Sequence, residues 1–197
     1  MVLSPVHASW AHLTFWPVAQ ALALRADGDQ LVFRRCRFLG WQDTIFLNRS
    51  RQYFEDCYIE GHVDFIFGAA MAYFSRCHIH CLKDGCLTAA STPDGTAHGY
   101  VFADCRVTGA PGVKTFLGRP WRNFARTVFL RTAVTEVVRP AGWDNWGKRD
   151  AEQTTFYAEY GSTGPGANPA ARVPWAKPLT AETAAKLPPQ AVLAGTD

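Results

Sequence analysis

The chain has 197 residues, 48% of them apolar and 19% charged, with a formal net charge of +3. This supports one domain with a real core and excludes a disordered chain, while the dispersed Lys and Arg exclude a basic patch of the nucleic-acid-binding kind. No stretch approaches the ~20 apolar residues of a membrane-spanning helix, so neither nucleic acid nor membrane is expected as a partner.

The N-terminal MVLSPVHASW has no basic segment followed by a long apolar one, so no signal peptide is visible. Beyond it a unit recurs: aromatic-x-x-Cys-x-apolar at Phe33/Cys36/Phe38, Phe54/Cys57/Ile59, Phe74/Cys77/Ile79 and Phe102/Cys105/Val107. Phe129/Thr132/Val134 continues it with Thr for Cys, and Trp10/Leu13/Phe15 precedes it. The units are spaced 23, 21, 20, 28 and 27 residues apart, and alternate polar and apolar residues follow each. A strand-period pattern repeating every ~20 residues predicts successive turns of a solenoid. The expected fold is all-β, a single-stranded right-handed parallel β-helix with a short C-terminal helix. Residues 161–178, rich in Gly and Pro, read as an extended segment along the solenoid. Thr180 reads as the N-cap of a helix over TAETAAKL, with Glu182 in its first turn and Pro188 and Pro189 stopping it. That helix is expected to help cover a solenoid end.

Equal positions in successive turns of such a fold stack about 4.8 Å apart. The offsets that superpose Trp10, Phe33 and Phe54 also superpose Gln20, Asp43 and Asp64, with Gln42 beside Asp43. Two carboxylates that close separate their apparent pKa values, which suits one ionised nucleophile and one protonated acid. Neighbouring amides can donate to a developing oxyanion. On these residues alone the column also reads as a solvated polar ladder.

WQDTIF (41–46), GHVDFIFG (61–68) and FLGRPW (116–121) resemble the signature blocks of the pectin methylesterase family, carbohydrate esterases on a right-handed parallel β-helix. QALALR (20–25), GYVFADCRVTG (99–109), PAGWDNW (140–146) and EYGSTGPGA (159–167) are similar to further blocks, so the resemblance runs from about Ala8 to Leu187. It implies one catalytic domain over 8–187 without the family's first turns, and a tail over 188–197. It implies that Asp64 is the nucleophile and Asp43 the acid that protonates methanol and then the base that activates water. Gln42 would stabilise the oxyanion, Gln20 would bind substrate, and Arg119 would hydrogen-bond the nucleophile. Trp121 and Trp143 would line the cleft, with Phe67 as a wall. The implied activity removes methyl esters from galacturonate units of pectin, as a monomer, with no cofactor and no metal, in a secreted or periplasmic setting. A catalytically silent polygalacturonate binder and an acyl-thioesterase on the same scaffold are the alternatives.

CHIHC (77–81) suggests a metal cluster, but strand alternation sends His78 and His80 one way and Cys77, Ile79 and Cys81 the other. The repeat cysteines are expected to stack as small core residues; a bridge between turns, or between Cys81 and Cys86, remains open. Asp84 lies 20 residues past Asp64 but belongs to a KDG turn. Asn48-Arg49-Ser50 is a glycosylation sequon, informative only in a secretory eukaryote.

Overall fold

The structure, a computed structural model, describes residues 20–194. Each turn of chain contributes three short strands. The first holds β1 (Leu24–Ala26), β2 (Leu31–Arg34) and β3 (Arg37–Leu39); the second β4 (Ile45–Leu47), β5 (Arg51–Glu55) and β6 (Tyr58–Gly61). The third holds β7 (Ile66–Gly68), β8 (Met71–Ser75) and β9 (His78–Cys81); the fourth β10 (Gly85–Ala90), β11 (Tyr100–Ala103) and β12 (Arg106–Gly109). The fifth holds β13 (Thr115–Pro120), β14 (Arg126–Leu130) and β15 (Ala133–Val134). Equivalent strands pair in parallel, giving sheets β1-β4-β7-β10-β13, β2-β5-β8-β11-β14 and β3-β6-β9-β12-β15. After α1 (Ala151–Thr154), β16 (Phe156–Tyr160) and β17 (Lys177–Pro178) extend the second sheet. The fold is the expected right-handed parallel β-helix.

The repeat is the register of the second sheet. Phe33, Phe54, Phe74, Phe102 and Phe129 are successive Cα partners. Their rings stack at 4.7, 4.7, 4.3 and 4.6 Å between centroids. Each stack adds about 0.5–1.5 kcal/mol to what ring burial contributes. Cys57, Cys77 and Cys105 are buried beside this column, and all six cysteines are free thiols. The Trp10/Leu13/Phe15 unit lies outside the described residues. At the other end Trp143 prolongs the phenylalanine column, 5.9 Å from Phe129 and stacked on Tyr157 at 4.4 Å.

Thr180 caps α2 (Ala181–Ala185) by accepting the Thr183 N–H at 3.2 Å, with Glu182 in the first turn. The helix does not cover a solenoid end, however. It packs on the outer face of the second sheet, where Tyr73, Val101, Val128 and Ala158 form an apolar stripe with Ala184 and Val192. An outward row of apolar side chains must be buried by something, and the C-terminal segment supplies it. The prolines stop α2 and begin α3 (Pro189–Val192), whose Val192 is buried. The segment 161–178 is also more than extended chain, because it contains a 3-10 turn at Pro169–Ala171 and the strand β17.

From Cys77 through β9 the alternation places Cys77, Ile79 and Cys81 in the core and His78 and His80 on the outside, both within 2.7 Å of Thr108 Oγ1. Asp84 accepts the Lys114 N–H at 2.8 Å and pairs with Arg139 at 2.9 Å. The Asn48 side-chain amide donates to Asp27. Among the described residues no helix is long and apolar enough to cross a membrane.

Candidate active site

The first sheet presents one row outward: Arg25, Phe46, Phe67, Ala89 and Arg119 are successive partners across its five strands. Just before this row the alternation of β4 and β7 breaks. Thr44 and Ile45 are both 0% exposed, as are Phe65 and Ile66, so two consecutive residues point inward. The kink that allows this is a left-handed residue immediately upstream, Asp43 (φ 59°) and Asp64 (φ 53°). Aspartate tolerates that region better than most residues because its short side chain bonds locally. Room for the inward pair comes from the repeated glycines. A Cβ on Gly61 would meet the Phe65 Cβ at 2.3 Å, and one on Gly40 would meet Thr44 Cγ2 at 2.7 Å. The 21-residue register of Ile45 with Ile66, and the Asp43 N–H donated to the Val63 carbonyl at 3.2 Å, set Asp43 beside Asp64.

Arg119, two strands away on β13, closes on Asp64 with a fork. Its Nε donates to Oδ1 at 2.9 Å and its Nη2 to Oδ2 at 2.7 Å, between side chains only 22% and 10% exposed. Burial pushes the Asp64 carboxyl above its ordinary range, while the hydrogen bonds and charge of Arg119 pull it back. Burial first, and then the charge of Asp64, push Asp43 up to about 6. Because the guanidinium fork closes on Asp64, the single negative charge of the pair is compensated there, and the proton of the pair belongs on Asp43. One ionised and one protonated carboxyl side by side can perform nucleophilic attack and proton transfer in the same event.

Along the strands, the aspartates are flanked by aromatic side chains on both sides. Phe46 and Phe67 stack at 4.8 Å, and Trp121 stands 6.3 and 5.8 Å from them. On the other side Trp41 is 39% exposed, with His62 at 5.8 Å and Lys83 at 5.3 Å from its ring. Phe67 follows Asp64 by three residues and Trp121 follows Arg119 by two, and Gln42 is half-buried next to Asp43.

Two expected positions need correction. Gln20 does not complete the column. The Ala21 N–H donates to the Gln42 carbonyl (3.4 Å) just as the Asp43 N–H donates to Val63, so Ala21 opposes Asp43 and Gln20 opposes Gln42. The offset to the next turn is 21 residues in β1, where Leu24 pairs with Ile45; a bulge in which Ala23 and Leu24 both donate to the Thr44 carbonyl raises it to 22 at Ala21, one short of the 23 that would set Gln20 opposite Asp43. Gln20 is exposed, one place short of the aspartates. Trp143 does not line a cleft: it is 1% exposed, and its ring faces Phe129 and Tyr157 as the last layer of the core.

Of the two tryptophans in PAGWDNW, the one that reaches Arg119 is Trp146, which sequence reasoning did not single out. Its ring centroid lies 3.7 Å from Arg119 Cζ, on the residue that clamps Asp64. PAGWDNW contains both tryptophans, but a turn segment has no periodicity to say which faces outward.

The chain matches the Pectinesterase family over residues 17–195. It is 45% identical over 162 residues to Pectinesterase 31 of Arabidopsis thaliana, covering 81% of this chain and 51% of that protein. Among solved structures it superposes on pectin methylesterase from carrot with a TM-score of 0.84 and 36% identity, covering 89% of this chain and 60% of that one. A pectin methylesterase in complex with a hexasaccharide superposes with a TM-score of 0.72 and 29% identity, covering 90% of this chain and 61% of that one. The chain therefore spans about half to three fifths of the length of these relatives. With the family matched from before the first described strand to beyond α3, and the aspartates and arginine meeting on one sheet face, the chain belongs to the pectinesterase family.

Proposed function

We propose that the chain is a carboxylic ester hydrolase that removes methyl esters from galacturonate units of pectin. The ionised Asp64 carboxylate attacks the ester carbonyl carbon, and the electron pair moves to the carbonyl oxygen, where the Gln42 amide donates a hydrogen bond. Collapse of the tetrahedral species breaks the carbon–methoxy bond, and Asp43 gives its proton to the departing oxygen, so methanol leaves. The product is an anhydride between Asp64 and the galacturonate carboxyl. Asp43, now a carboxylate, takes a proton from water, whose oxygen attacks that carbonyl. The galacturonate leaves as a free acid, and Asp64 returns to its pairing with Arg119. No step needs a cofactor.

The observation that carries this reading is the Arg119 fork on Asp64 beside the raised carboxyl of Asp43. A carboxylate is a weak nucleophile, and orientation by a bidentate cation together with an adjacent acid is what such a mechanism requires. Phe46, Phe67 and Trp121 suit the apolar faces of sugar rings, and a related enzyme is solved with a hexasaccharide. A pectin substrate also suits a secreted or periplasmic setting, and we propose that the chain acts as a monomer.

The test is methanol release from highly methylated pectin by the purified protein, by Asp64→Asn and by Asp43→Asn. Turnover in the parent chain and its loss in both variants is the expected result. Equal release by parent and Asp64→Asn would overturn the reading. Pectin binding without any turnover in the parent would establish the silent binder instead, and release from an acyl thioester but not from pectin would establish the thioesterase.

A further inference from the structure

Trp146 is a half-buried, bulky residue held at φ 56°, in the left-handed region. Such a residue rarely adopts that conformation, and strain of this kind persists only where surrounding contacts impose it. Here the contacts are visible on both sides. The Asp144 N–H donates to the Gly118 carbonyl at 3.1 Å, and the Asp144 carboxylate accepts the Trp146 N–H at 2.7 Å. Lys148 lies 4.6 Å from the Trp146 ring and donates from Nζ to the carbonyls of Pro120 and Trp121, at 2.8 and 3.0 Å. The turn is therefore tied before and after Trp146 to the strand that carries Arg119. Its result is an indole laid on the Arg119 guanidinium at 3.7 Å, the shortest cation–aromatic contact among the described residues. Core filling does not account for it, because Trp143 already closes the core three residues earlier.

We propose that Trp146 is a positioning residue: by stacking on Arg119 it fixes the plane from which the guanidinium forks onto Asp64, and it excludes water from that ion pair. This rests on the esterase reading above. An arginine side chain has several rotatable bonds, and its two-bond geometry is held only if the guanidinium plane is held. An aromatic face attracts the cation while leaving its edge free to donate. Removing the ring lets Arg119 rotate and hydrate, so Asp64 is less well aimed and less well held as a carboxylate.

The other groups that act on Asp64 bear on the test. Asp43 precedes β4, His62 lies on its own segment, Cys86 is on β10, Tyr157 is on β16, and Asp144 and Lys148 belong to the turn. Loosening the turn also moves Asp144, whose like charge raises the Asp64 carboxyl, so an Asp144→Asn control separates the two effects.

The experiment measures kcat and KM on methylated pectin against pH for the parent, Trp146→Ala, Trp146→Phe and Asp144→Asn. In parallel, the Asp64 carboxyl is titrated by carbon-13 NMR, assigned with Asp64→Asn. In Trp146→Ala we expect kcat to fall by roughly ten-fold or more with KM nearly unchanged, as a misplaced reacting group implies. The Asp64 titration and the acid limb of kcat/KM should both move to higher pH. Trp146→Phe should restore most of both, and Asp144→Asn should move the titration the other way. An unchanged Asp64 titration in a folded Trp146→Ala protein would overturn the proposal, whatever its melting temperature. If the parent releases no methanol, the esterase reading fails, while the NMR titration still decides whether Trp146 controls the ion pair.

Discussion

Arg119 and Asp64, 55 residues apart in sequence, meet through two hydrogen bonds of 2.9 and 2.7 Å because two strands of one sheet set them on the same outer face. The pair couples the solenoid to the chemistry: shift β13 by one residue relative to β10 and the guanidinium points inward. Arg119→Lys keeps the charge but loses the planar fork. We expect its kcat on methylated pectin to fall about 10- to 100-fold, and that of Arg119→Ala by about 10²–10³-fold, with KM changing little. Steady-state kinetics with methanol detection checks this. A Lys variant as active as the parent would show that charge alone suffices.

The phenylalanine column makes a separate prediction about stability. Phe74 is 0% exposed and stacked between Phe54 and Phe102 at 4.7 and 4.3 Å. Phe74→Ala removes two stacks and leaves a cavity that a solenoid, close-packed above and below, cannot collapse into. The expected loss is about 3–5 kcal/mol in urea unfolding. Val32, on the outside of the same sheet and 46% exposed, is the control, and Val32→Ala should stay within about 0.5 kcal/mol of the parent. Comparable losses in the two variants would mean that the column is not the mechanical centre of the fold.

That column was legible in the sequence because identical residues stacked turn upon turn leave a trace at a fixed period. The same trace carried Asp43 and Asp64 to neighbouring places, and burial of Thr44 and Phe65 behind them explains why Gly40 and Gly61 recur with them. What the trace could not carry is whatever departs from strict repetition. The offset between the first two turns is 21 residues at Leu24, and the bulge at Ala23–Leu24, which no residue type announces, raises it only to 22, so Gln20 falls one position short of Asp43. The turn after β15 has no alternation, so the choice between Trp143 and Trp146 depended on backbone geometry at Trp146 that only the three-dimensional arrangement reveals. The meeting of Arg119 with Asp64 was legible only through the family resemblance, since nothing in the local pattern of β13 points to it.

Phe67 and Trp121 stand 5.8 Å apart, with Phe46 stacked on Phe67 at 4.8 Å. Neither touches the reacting atoms in the proposed mechanism, so their contribution should be to binding. Phe67→Ala and Trp121→Ala are each expected to raise KM for methylated pectin, by ~5- to 30-fold if about one to two kcal/mol of ring contact is lost. Their kcat should change less. Because Phe67 supports both Phe46 and Trp121, the double variant should fall short of the sum of the singles. A fall in kcat at constant KM would place these rings in the chemical step instead.

Asp43 links the candidate chemistry to stability through pH. An unfolded aspartate titrates near 3.9, and in the fold burial and Asp64 push Asp43 up to about 6. Between these values the folded protein binds more protons than the unfolded chain, so this group's contribution is fully present below the unfolded value. It is lost as pH rises through the folded one. Above about pH 6 the fold must hold an ionised Asp43 beside Asp64, at a cost to stability. Asp43→Asn removes that cost. The variant should therefore be more stable than the parent at pH 7, by on the order of 1 kcal/mol once solvent screening of a partly exposed carboxyl is allowed for. The gain should shrink between pH 6 and 4, where the parent aspartate is protonated and resembles the amide. Urea midpoints of both proteins across that range measure it directly. A gap that stays constant with pH would mean that Asp43 titrates as an ordinary aspartate, and the division into one charged and one protonated carboxyl would lose its basis. A gain confined to neutral pH, together with lost turnover, would show that the fold tolerates Asp43 for what it does rather than for what it holds together.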